Sequence, residues 1–166
     1  MTSTLIRTAT LMGAAMTMGL ATGAFVIFAH TIMPGLHKTD NRTFVTAFQQ
    51  IDRAIINPWF MATAFVGALV FTLAAGIANR GTSALPWIAA AFGLYLVAFV
   101  VTIAINVPLN DAIKAAGDPY HIDVAQVRAQ FHETRWAAWN LLRVVTSTAA
   151  FALLAWALVL CGRASS

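Results

Sequence analysis

Four long apolar stretches leave this chain few ways to fold. They cover about residues 8–33, 58–79, 86–107 and 136–160. Each matches the roughly 20 apolar residues that a helix needs to cross a bilayer. A chain in hydrocarbon must satisfy its backbone hydrogen bonds within itself, so runs of this length fold as helices. The expected fold is all-α: an integral membrane four-helix bundle, built as a single domain over residues 1–166. Composition agrees, with 60% hydrophobic and 10% charged residues, against about 25% charged in soluble domains.

Other classes fall away. The net charge of +4 is scattered, with no basic run, so nucleic acid is not an expected partner. The single cysteine, Cys161, allows neither an internal disulfide nor a CxxC redox pair. Phosphate-binding glycine loops, HExxH and HxxxH are absent, so no metal site is expected from a motif. Arg7 resembles the start of a cleavable signal. The run from Thr8 to Met33 exceeds the ~7–15 residues of a signal core, so the first span reads as retained.

Between the spans lie two long connections and one short turn. The segment from Asp40 to Ile56 places Phe44, Phe48, Ile51 and Ile55 on one face and reads as an amphipathic helix at the interface. Gln49 and Asp52 on it line a roof or form a solvated face. Asn57-Pro58 starts the second span as N-cap and first helical residue. Met33-Pro34-Gly35 ends the first span and Pro108 perturbs the end of the third. Asp123 caps a helical extension that leads into the fourth. Ala15, Gly19 and Gly23 form a small-residue stripe for close helix packing. Counting Lys and Arg places the long loops inside, whereas the tiny opposite loop favours the reverse. The orientation adopted has both termini inside, in a bacterial cell membrane.

In an up-down-up-down bundle the polar residues of all four spans meet at one end. They are His30, Asn57, Asn106, Asn110 and the group Trp136, Trp139, Asn140 and Arg143. The last four share one helix face, and Arg143 lies roughly 10 Å along the axis from Trp136. Such residues are costly in a bilayer and usually face a bundle interior or wet cavity. Arg143 either offers donors to an anionic or enolate-like ligand between aromatic walls, or bonds neighbouring carbonyls beside an interfacial Trp pair. Asn106 and Asn110 either satisfy carbonyls near Pro108 or bind a substrate oxygen. His30 is a general base, a haem or metal ligand, or an interfacial histidine bonded to a loop. His132 lies above the same face.

These motifs together resemble the anthrone oxygenase-like family of small membrane proteins. The matching stretches are Met33-Pro-Gly-Leu36, Phe44…Phe48-Gln49…Ile51-Asp52…Asn57-Pro58, Asn106-Val-Pro-Leu-Asn110 and Trp136…Trp139-Asn140…Arg143. The resemblance implies a monooxygenase that turns an anthrone into an anthraquinone with no organic cofactor, as fungal members are associated with doing in polyketide pathways. On that expectation His30 is the base, with His132 second. Arg143, Asn140 and Asn106 hold the enolate oxygen, and Trp136 and Trp139 stack on the rings. Asn110, Gln49 and Asn57 complete the binding site for a small aromatic or quinone-like molecule. Two other readings stand beside it. One is a membrane subunit holding haem, copper or iron through His30 and His132. The other is a non-enzymatic accessory protein that joins a homo-oligomer or a larger membrane complex in the lipid bilayer.

Overall fold

The computed structural model describes residues 2–163. The described chain is helical throughout, apart from short turns. Four helices are long and apolar enough to cross a membrane: α1 (Thr4–His37), α3 (Pro58–Ala78), α4 (Leu85–Ala115) and α6 (Glu133–Arg163). Two shorter helices, α2 (Asn41–Ile55) and α5 (Val124–Gln130), occupy the long connections. This is the all-α membrane bundle expected from the sequence, with its amphipathic helix and its extension before the last span. Helices α1 and α4 each pack against both α3 and α6, which closes a ring of four.

The bundle's tight half is built on small residues. Each spanning helix fully buries a pair of alanines seven residues apart: Ala14 and Ala21, Ala68 and Ala75, Ala91 and Ala98, Ala150 and Ala157. Seven residues are close to two helical turns, so each pair faces one way and lets a neighbouring backbone approach. The expected stripe is only partly used. Ala15 is buried and Gly19 lies beneath the Phe151 ring, whereas Gly23 is exposed and faces open space.

The other half is wider, and its helices are irregular. Both α1 and α4 continue past the prolines at which the sequence analysis ended them. The reason is local. Phe28–Ile32 and Thr102–Asn106 form single π turns, in which Met33 N–H bonds Phe28 O and Val107 N–H bonds Thr102 O. In both cases one residue separates the π turn from proline, Pro34 or Pro108. Proline lacks the N–H for the i−4 bond and its ring crowds that carbonyl. Widening the turn before it relieves the crowding, and the helix goes on. A third π turn, Met61–Phe65, depends on glycine instead. A Cβ at Gly67 would lie 2.7 Å from the Ala62 carbonyl oxygen.

Over this wider half sits a roof. Asp40 caps α2 by accepting the amides of Arg42 and Thr43 at 3.0 and 3.1 Å. The Thr43 hydroxyl bond, followed by the backbone bonds, holds the Asp40 carboxyl below the usual carboxylate range. Phe44 and Phe48 of α2 meet Phe131 and Trp136, with the Phe48 and Phe131 ring centroids 4.6 Å apart. Arg128 of α5 lies over the Phe44 ring and donates to the carbonyls of His37 and Thr39, at 3.1 and 2.9 Å. The long connections are thereby fixed to each other and to α6.

Gly67→Ala is expected to destabilise the fold by about 1–3 kcal/mol, because the new methyl is forced against backbone. A lowered apparent Tm in detergent would show it, and an unchanged Tm would remove glycine's role in the third π turn.

Candidate functional site

Directly beneath the roof lies a cavity of about 290 Å³. Each of the three π turns contributes to its wall, through Phe28, through Met61 and Phe65, and through Thr102. π turns within α-helices frequently mark functional sites. Most of the lining is apolar: Phe25, Phe28, Phe60, Met61, Phe65, Val107 and Trp136. Ile55 and Ile56, at the corner between α2 and α3, line it together with Asp111 and Lys114 of α4. Ile56 is half exposed and Asp111 exposed, which puts the mouth of the cavity at this corner.

Arg143 contributes a buried cation to the wall, only 5% exposed. Its Nη1 donates to Thr102 Oγ1 at 3.2 Å and its Nη2 to Asn140 Oδ1 at 2.7 Å. Nε has no partner. The guanidinium lies 4.6 Å from the Phe25 ring centroid and 5.3 Å from that of Trp136. Both neutral acceptors are held from behind. Thr102 donates its hydroxyl to Ala98 O at 2.8 Å, and Asn140 donates Nδ2 to Phe25 O at 3.1 Å. The ion pairs among the described residues are His37–Glu133, Lys114–Asp52, Lys114–Asp111, His121–Asp118 and Arg128–Glu133. No carboxylate therefore faces Arg143 among them. A buried charge without a counter-ion is expensive.

A second polar group borders the mouth. Trp136 Nε1 donates to Asn110 Oδ1 at 2.7 Å, and Asn110 Nδ2 donates to Asp52 Oδ1 at 2.7 Å. Asp52 Oδ2 pairs with Lys114 Nζ at 2.7 Å, and Lys114 also pairs with Asp111 at 2.9 Å. Asp52 is buried, not solvated, because α2 turns that edge inward against α4.

The expected site residues divide between these groups and other places. Arg143 and Trp136 line the cavity together, as does Asn110, and Asn140 supports Arg143 from behind. Asn106 is fully buried and donates Nδ2 to Trp136 O at 3.3 Å, with its Oδ1 unpartnered. Gln49 is buried too, donating to Ile113 O and Gly117 O at 2.8 and 3.1 Å, so it fastens the end of α4 to the roof. Asn57 caps α3 by accepting Phe60 N–H at 2.9 Å. Trp139 is half-buried outside the cavity lining. His30 is exposed, with its Nδ1 2.6 Å from Thr31 Oγ1, and His132 stands exposed on the turn before α6 with φ +52°. Neither histidine lines the cavity. Thr102, Asp111 and Lys114 went unnoticed in the sequence. A signal for them was present: Thr102, Asn106, Asn110 and Lys114 recur at steps of four.

The family model for anthrone oxygenase matches residues 44–153. That is more than half of the chain. The protein belongs to the anthrone oxygenase family. No curated protein and no solved structure matches it. The family match takes in Asp52, Thr102, Asn110, Lys114, Trp136 and Arg143, while Phe25 and Phe28 come from α1 outside it.

Replacing Arg143 by leucine is expected to leave the apparent Tm in detergent unchanged or raised, because a desolvated charge with no counter-ion is removed. A fall of several degrees would instead mean that the guanidinium holds the bundle together.

Proposed function

We propose that this membrane protein oxidises an anthrone-like aromatic with dioxygen, binding it as an enolate in the cavity beside Arg143. The observation that carries this reading is the pairing of a buried, uncompensated guanidinium with aromatic walls. A planar fused-ring ketone is apolar over its faces and becomes an anion at one oxygen once its methylene loses a proton. Arg143 has five N–H donors in a planar fork, and only two are engaged by protein. Donors already aimed at developing charge in a water-poor site stabilise it strongly.

Once the enolate has formed, its reaction with dioxygen needs no further charged group at the ring. The enolate gives one electron to dioxygen, forming a ring radical and superoxide. Their recombination makes a C–O bond, and the resulting peroxide is protonated. Breaking the O–O bond with loss of the remaining methylene hydrogen releases water and leaves the quinone carbonyl. One dioxygen supplies one oxygen atom to product and one to water. Asn140 and Thr102 fix the guanidinium in place. The cavity volume of about 290 Å³ lies just below the roughly 300–1,000 Å³ common for small-molecule sites, which suits a small ligand.

Oxygen consumption by purified protein in mild detergent, started by adding anthrone, tests this directly. Arg143→Leu is expected to lower turnover by about 10²–10³-fold, the usual effect of deleting one oxyanion donor. Wild-type turnover in that variant would discard the oxyanion role of Arg143.

A further inference from the structure

The methylene proton needs an acceptor, and neither His30 nor His132 lines the cavity. Asp52 does line it, with its side chain 5% exposed. Burying an ion pair seldom adds stability over apolar packing, so the pair of Asp52 with Lys114 at a cavity wall calls for another explanation. Its surroundings have two features that suit proton transfer. Asn110 bonds Asp52 Oδ1 while holding Trp136 Nε1, so the carboxylate is oriented by a residue that is itself fixed. Lys114 stands between two carboxylates, at 2.7 Å from Asp52 and 2.9 Å from Asp111.

We propose that Asp52 is the proton acceptor of this cavity and that its proton leaves through Lys114, whose ammonium gives a proton to Asp111, and so to water, as it takes one from Asp52. The proposal rests on the functional reading above and names the group that begins its chemistry. The methylene C–H bond breaks, its electron pair enters the ring system as the enolate, and an O–H bond forms on Asp52. No oxidant is consumed in this step. Negative charge passes from Asp52 to the ligand oxygen, where Arg143 faces it, so the total charge of the cavity is unchanged. Lys114 loses one counter-ion and keeps the other. Side-chain exposure rises from 5% at Asp52 through 18% at Lys114 to 60% at Asp111, a graded path from cavity to solvent.

Deuterium exchange separates this step from oxidation. Full-length protein in detergent is held with anthrone in D₂O without oxygen, and label entering the methylene is followed by mass spectrometry. Wild-type protein is expected to speed exchange. Asp52→Asn is expected to lower that rate by about 100-fold or more, the usual worth of a positioned base. Quenching of tryptophan fluorescence by anthraquinone reports whether the cavity is intact. Asp52→Ala provides a second variant, in which added formate is expected to restore exchange. Lys114 is a positioning residue: Lys114→Met is expected to slow exchange at unchanged quenching, and Lys114→Arg to recover part of it. If either Asp52 variant binds anthraquinone normally and exchanges near the wild-type rate without formate, the proposal is overturned and the functional reading stands. If wild-type protein neither exchanges nor consumes oxygen with anthrone, both fall.

Discussion

Trp136 is the residue through which every part of the site communicates. Its ring packs under the roof against Phe28, Phe48 and Phe131. The same ring lies over the guanidinium of Arg143, and its Nε1 holds Asn110 and through it Asp52. Even its carbonyl is used, accepting from Asn106. A large aromatic group with one polar atom suits this position, because the body can be buried while the N–H finds a partner. Roof, cation and acidic pair are therefore set by one side chain's orientation.

The second constraint is electrostatic. In a cavity walled by phenylalanines, the guanidinium has only neutral oxygens and ring faces around it. Those contacts fix its direction without cancelling its charge. The acidic residues of the site are kept at the mouth, where Lys114 pairs with both. Separating the signs in this way leaves the interior biased toward an anion and the rim with one net negative charge.

Much of this architecture could be read from the sequence, and the parts that could not share a cause. The four spans follow from apolar length alone, and the face carrying Trp136, Asn140 and Arg143 follows from regular spacing in an unbroken helix. Reading failed where helices are irregular. Pro34 and Pro108 look like stops, so α4 seemed to end before Lys114, and the polar stripe from Thr102 was cut in two. His30 falls inside a π turn, where ordinary helical spacing no longer tells which way a side chain points. Gln49 and Asp52 resemble a solvated face because their burial depends on α4 meeting α2, a contact between segments far apart in the chain.

Each π turn holds about one residue more than an ordinary helical turn. Removing a single residue there would restore regular α-helix, and because the extra residue is absorbed within one widened turn, everything beyond it would keep nearly the same direction. In α4 Asn110 and Lys114 would still meet Asp52 and Trp136 after such a deletion, the alanine faces would keep their partners, and the wall around Thr102 alone would change. At these three places the number of residues matters as much as their identity. Here a deletion reshapes the cavity wall while sparing the bundle that supports it.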